Sequence, residues 1–299
     1  MFSDRSDPPP KVRSMTDPAI PVTLSTASVY PRRAAFAFES AAEIGYDGVE
    51  AMVWSDPATQ DPKALSRLAA DTGMPIRSIH APTLLVSQRV WGRSPADKLA
   101  RAVDMAGELG AHTVVVHPPF RWQYRYARGF EEQVRTLNAS SSVTVAVENM
   151  YPWRPHSRLD RDLKAYLPGW DPMEHGYDAV TLDLSHAAIA QQDGLSLLRE
   201  FGDRLRHVHL ADGTFNARDE HLVPGRGDMH CDKVLTELVQ SGFDGDVVLE
   251  ISTRKAFDAH ERHTDLVAGL EFARAYLSPE PVPYTPPEPE HHHRPADAW

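Results

Sequence analysis

The chain has 299 residues, 41% hydrophobic and 24% charged, with 31 Lys and Arg against 42 Asp and Glu for a formal net charge of −11. This is ordinary globular composition, ample for a buried core and too acidic for a general nucleic-acid coat protein. A single cysteine, Cys231, excludes an internal disulfide framework and a Cys-rich zinc module and fits a reducing compartment, and no run approaches the roughly 18 apolar residues of a membrane span.

Residues 1–19 are polar, broken by Pro8, Pro9 and Pro10, and lack the apolar stretch of a secretory signal. A cytoplasmic protein is expected, with Met15 as an alternative start. Residues 20–277 then repeat one pattern, in which a short run rich in Val, Ile and Leu is followed by a loop and an amphipathic stretch. The predicted strands are Pro21–Ser25, Gly48–Val53, Ile76–His80, Thr113–His117, Val143–Glu148, Val180–Leu184, His207–Leu210 and Val247–Ile251. Their near-continuous apolar character is that of parallel strands covered on both faces. Between them lie helical patterns, among them Pro95–Leu109, with Leu99, Ala102, Val103, Ala106 and Leu109 on one face, and His260–Leu277. Gly45, Gly110 and Gly242 each end a helical stretch shortly before a strand. Eight strands alternating with helices over about 250 residues is the arithmetic of a single-domain (β/α)8 TIM barrel. A doubly wound sheet is the competitor, but no Gly-rich dinucleotide turn follows the first strand. Residues 278–299, with Pro279, Pro281, Pro283, Pro286, Pro287, Pro289 and Pro295, read as an extended tail that also holds His291, His292 and His293.

In a barrel, chemistry gathers at the C-terminal ends of the strands. Along those ends stand His80, His117, Glu148, Asp183 with His186, His209 and Glu250; the loop after the seventh strand adds Asp219 and His221, then Gly225-Arg226-Gly227. One such residue is commonly a hydrogen-bonded structural group. Several ionisable groups aimed at one cavity are expensive to bury without a compensating charge, and a divalent cation supplies it. Carboxylates and neutral imidazoles without a thiolate leave Mn, Zn, Mg, Fe and Co all open as the metal.

This constellation resembles the xylose-isomerase-like TIM-barrel superfamily over essentially residues 20–277. That superfamily contains ketose epimerases, inosose dehydratases, proteins described as sugar phosphate isomerase/epimerase, and the endonuclease IV branch. The resemblance implies a metal held by Glu148, Asp183, His209 and Glu250. It also implies a substrate-contacting His186 within Asp-x-x-His. His80 and His117, with Asp219 and His221 ahead of a Gly-x-Gly turn, resemble further ligands of the endonuclease branch, so one to three ions per chain are implied.

Two reactions follow from the resemblance. A sugar isomerase or epimerase needs a cation beside adjacent oxygens and a proton relay through an ene-diolate, for which Glu148 and Glu250 resemble the catalytic pair and His186 orients a hydroxyl. Trp54, Trp91, Tyr151 and Trp153 are candidate walls for the sugar, and Arg154 and Arg226 candidate partners for a phosphate or carboxylate, though packing and surface salt bridges explain such residues as well. An abasic-site phosphodiesterase instead needs clustered metals and DNA-facing cations, for which Arg121-Trp-Gln-Tyr-Arg-Tyr-Ala-Arg128 is the candidate. Glu148-Asn149-Met150-Tyr151-Pro152-Trp153 and His117-Pro118-Pro119 depart from the turns of that branch, so a small carbohydrate substrate is expected ahead of nucleic acid. A barrel that binds a metal without turnover is the third reading. A homo-oligomer is compatible with all three.

Overall fold

The structure, a computed structural model, describes residues 20–83, 87–152, 165–167, 169–216 and 218–289. Residues 1–19, Trp153, Arg154 and His291 to His293 lie outside the described residues.

Eight strands pair in parallel in chain order, and the last closes onto the first. They are β1 (Val22–Ser25), β2 (Val49–Met52), β3 (Ile76–His80), β4 (Thr113–Val116), β5 (Thr144–Glu148), β6 (Val180–Asp183), β7 (Leu205–Leu210) and β8 (Asp246–Leu249). Every residue of β1, β4, β6 and β8 is buried. Runs such as Thr113-Val-Val-Val suit this position, because branched side chains pack on a pleated surface covered from both sides.

The helices are α1 (Ala34–Ile44), α2 (Pro62–Thr72), α3 (Pro95–Leu109), α4 (Tyr124–Ser140), α5 (Leu184–Ala190), α6 (Gly194–Phe201), α7 (Cys231–Gln240) and α8 (Ala259–Tyr276). In α3 the Ser94 side chain accepts from the Asp97 N–H, Pro95 opens the first turn, and Gly110 ends the helix in the left-handed region at φ 73°. Its Leu99, Ala102, Val103 and Ala106 are buried, the face expected from their spacing.

The alternation of strand and helix is uneven. Among the described residues, the connection from β5 to β6 holds only a short 3-10 turn, Pro172–Glu174, whereas β6 is followed by both α5 and α6. The β5–β6 connection crosses instead to the exit of β4, where Phe120 and Tyr166 form an antiparallel bridge. Residues 278–289 carry neither helix nor strand, yet they lie against the barrel. Tyr284 donates its hydroxyl to Glu271 at 2.7 Å, and Pro286 is buried. No helix among the described residues is long and apolar enough to cross a membrane.

Candidate metal centre

The strand ends deliver their charged residues to one place. His209 on β7 is fully buried, and its Nδ1 lies 2.9 Å from Glu250, 3.1 Å from Glu148 and 3.5 Å from Asp183. Three carboxylates from β5, β6 and the end of β8 thus surround one imidazole nitrogen. Glu148 is shared further, with its Oε2 2.7 Å from His117 Nε2 and 3.3 Å from His80 Nε2. On the other side His186 stands 3.7 Å from Asp219, which in turn lies 3.1 Å from His221.

Local folding explains how Asp183 comes to serve the site. β6 runs directly into α5, and Asp183 is the cap: its Oδ1 accepts the His186 N–H at 2.7 Å. The cap spacing is the Asp-x-x-His motif, so one helix start orients both residues. Asp183 Oδ2 is left buried without a hydrogen-bond partner, as is His117 Nδ1. Asn149 fixes the backbone beside it, accepting from the Asp183 N–H at 2.7 Å and donating to its carbonyl at 3.0 Å.

A layer below, Glu50 on β2 is completely buried. It accepts from His209 Nε2 at 3.1 Å, His207 Nε2 at 2.9 Å and Ser78 Oγ at 2.8 Å. Strand-end reading misses Glu50 and His207, because both sit inside their strands. The available signal is a Glu within the apolar run Val49-Glu-Ala-Met52.

The electrostatics describe a site with surplus negative charge. Burial opposes protonation of His209, but Glu250, Glu50 and Glu148 outweigh it and raise its pKa well above the usual histidine value. His186 is raised in the same way against burial by Asp183 and Asp219, and His221 is raised to about 10, with Asp219 the leading attraction. Burial pushes Glu148 up, yet His117 and His209 hold it well below the ordinary carboxylate range. His117 itself is lowered, burial prevailing over Glu148. Imidazoles that hold protons this strongly mark a place where a cation is favoured.

The donor set fits a divalent metal. Asp183, His209 and Glu250 each offer a ligand atom within 4.8 Å of the others, as do His80, Glu148 and His209, and as do Asp183, His186 and His221. Asp183 Oδ2, buried without a hydrogen bond and 3.5 Å from His209 Nδ1, gives a cation a further ligand. Above the cluster opens a cavity of about 380 Å³ whose rim includes Tyr30, Met52, Trp54 and Arg254. Tyr30 and Trp54 stack at 5.1 Å.

Other sequence candidates stand elsewhere. Trp91 donates its indole N–H to the Gln60 carbonyl and lies under the Arg101 guanidinium. Arg226 pairs with Asp265 at 2.7 Å and donates to the Pro287 carbonyl. Neither lines the cavity above the cluster. The Gly-x-Gly turn that carries Arg226 serves the backbone, with Asp212 accepting the Gly225 N–H at 2.8 Å.

A closed parallel barrel with carboxylates and imidazoles gathered at its C-terminal mouth defines a (β/α)8 protein with a candidate metal centre where such barrels carry their chemistry. Residues 38–276 match the model of the xylose isomerase-like TIM barrel family, and the chain belongs to that family. An uncharacterized protein of Mycobacterium tuberculosis is 50% identical over 276 residues, which cover 87% of this chain and 99% of that protein. Fructoselysine 3-epimerase of Escherichia coli O157:H7 is 23% identical over 239 residues, or 73% of this chain and 85% of the enzyme. The crystal structure of a D-tagatose 3-epimerase-like protein superimposes with a TM-score of 0.60 at 21% identity, covering 87% of this chain and all of that one.

Proposed function

We propose that the chain is a divalent-metal-dependent isomerase or epimerase of a sugar, sugar phosphate or related polyol. The observation that carries this reading is the convergence of Glu148, Asp183 and Glu250 on His209 Nδ1 beneath a sugar-sized cavity. Similarity to fructoselysine 3-epimerase supports the same reaction class.

Glu148, Asp183, His209 and Glu250 would hold the cation, with His80, His117, His186, Asp219 and His221 available to a second or third ion. Mn, Zn, Mg, Fe and Co all suit these ligands. A bound cation supplies Lewis-acid stabilisation of the negative charge that develops on adjacent sugar oxygens. Glu148 and Glu250, arriving from β5 and β8, remove and return the proton on the carbon next to the carbonyl from opposite sides. His186 orients a hydroxyl, its Nδ1 tied to the Asn149 carbonyl at 3.0 Å. The Tyr30–Trp54 stack presents an apolar wall to the sugar ring and excludes water from one side.

The test is metal-dependent exchange of the carbon-bound proton in a panel of ketoses and ketose phosphates in deuterium oxide, followed by NMR. Exchange is expected in the loaded wild type and lost in Glu148→Gln and Glu250→Gln. Turnover that survives both changes would overturn the mechanism. The three overlapping ligand groups favour a second reading, a multinuclear phosphodiesterase acting on abasic-site DNA. Metal-dependent cutting of an abasic-site duplex at low salt, with no exchange on any ketose, would select it.

A further inference from the structure

A second cavity, about 830 Å³, lies between the β3–α3 and β4–α4 connections and is lined by Arg89, Arg93, Lys98 and Arg125 together with Thr83 and Trp122. No carboxylate lines it among the described residues, although the chain carries a net charge of −11. We propose that this cavity binds the phosphate group of an organic ligand, with these four cations as its counter-charges.

Three observations carry the assignment independently of the reaction at the metal centre. The first is Lys98, which is only 3% exposed. Its ammonium meets the Ser87 carbonyl at 2.8 Å and the Pro82 carbonyl at 3.4 Å and has no carboxylate partner among the described residues. A buried ammonium satisfied only by neutral carbonyls lacks a counter-ion, and an anion in the cavity provides it. The second is the placement of positive charge at the start of α4. Gln123, Tyr124 and Arg125 open that helix on the cavity wall, whereas the start of α3 is already served by the Ser94 cap and Asp97. The first turn of α4 has no acidic residue and no side-chain cap, so its free N–H groups and Arg125 add charge of the same sign. Cations at a helix N-terminus oppose the helix dipole, and an anion there reverses the sign of the interaction. The third is Thr83, 8% exposed, whose buried hydroxyl has no hydrogen-bond partner although the residue lines the cavity. A phosphate oxygen is an acceptor for such a hydroxyl.

Arg89, Arg93 and Arg125 supply the forked donors that match phosphate geometry, and none of them pairs with a carboxylate among the described residues. Trp122 is 58% exposed, with Phe120 stacked on one face at 4.6 Å, so its other face is open to the organic part of the ligand.

The test is calorimetric titration of the purified full-length chain with inorganic phosphate. Saturable binding that weakens with added salt is expected. Reversing Arg93→Glu and Arg125→Glu together should weaken it at least about tenfold, while Glu250→Gln at the metal centre should leave it within about twofold. Both arginines are exposed, and an unchanged melting temperature shows that the double variant is folded. Three results would each overturn the proposal: no binding by the wild type at 10 mM phosphate (about 3 kcal/mol of affinity at most), binding unaffected by charge reversal, or binding lost with Glu250→Gln alone. Parallel titrations with a sugar phosphate and with a short DNA duplex separate the two sources of phosphate. Tighter binding of either, sensitive to the same reversal, confirms the cavity and names the source.

Discussion

Glu50 accepts a hydrogen bond from His209 Nε2 at 3.1 Å, while the opposite ring nitrogen of His209 faces Glu250 at 2.9 Å. A carboxylate on β2 therefore fixes the direction of an imidazole on β7, so that Nδ1 is the nitrogen that exchanges its proton for a metal. Glu50→Gln keeps the shape but removes one of the charges, after Glu250, that make His209 basic. Affinity for a divalent ion should fall about 10- to 100-fold with the fold intact. Titration of the metal-free variant with Co²⁺, read by its visible spectrum, measures this; an affinity equal to wild type would remove Glu50 from the account.

Asn149 makes a paired contact with the backbone of Asp183 at the junction of β5 and β6. Asn149→Ala strands a buried N–H and a buried carbonyl, at about 1–3 kcal/mol for each group left unpaired. Chemical denaturation should show a loss of at least about 2 kcal/mol in the metal-free chain, together with weaker metal binding as Asp183 loses its anchor.

For the chain stripped of metal, stability should fall as the medium becomes alkaline. His186, His209 and His221 have raised pKa values in the folded state, His221 to about 10. Their stabilising contribution is complete below about 6.5, the value in the unfolded chain, and disappears as pH climbs through the folded values. Glu50, Glu148 and Asp219 are lowered instead. Their contribution is present above about 4.3 and lost on acidification. The melting temperature of the metal-free chain should therefore peak near pH 5 to 6 and decline toward pH 10. A saturating divalent ion should raise it and flatten the alkaline decline, because the ion replaces the protons. Melting curves at pH 5.5, 7.5 and 9 with and without chelator decide the point; parallel curves would contradict it.

Gly225 sits at φ 90° where a Cβ would meet Phe272 Cε2 at 2.8 Å and Pro286 Cδ at 2.9 Å. Gly225→Ala should cost about 1–3 kcal/mol through overpacking and backbone strain. Greater proteolytic sensitivity of the segment around Tyr284 and Pro286 is the second expected readout, since the same substitution displaces Pro286.

The barrel is legible because its signal is repeated: eight short apolar runs separated by helical stretches, with Gly45 and Gly110 closing helices in the left-handed region as their type requires. The exits of the strands were equally readable, and His80, His117, Glu148, Asp183, His186, His209, Asp219, His221 and Glu250 all line or adjoin one cluster. Glu50 and His207 escaped because alternation along a strand shows which face a residue takes, not how deep in the barrel it lies. Arg226 illustrates the converse, a cation near a motif whose partner, Asp265, lies 39 positions away and is set by tertiary packing alone. The irregular β5–β6 connection left no periodic trace, since a crossing held by backbone bridges such as Phe120 to Tyr166 needs no particular side-chain pattern.

Six of the eight strands, β3 to β8, contribute a residue to the cluster at or close to their C-terminal ends, β2 supports it with Glu50 from within the strand, and Glu250 follows the last of them. During synthesis these residues leave the ribosome in the order His80, His117, Glu148, Asp183, His209, with Glu250 last. Ring closure between β8 and β1 is then what seats it. The nascent protein thus carries most of the cluster before Glu250 exists to complete it, and on the proposed reading a cation meets its full set of ligands only once the ring has closed.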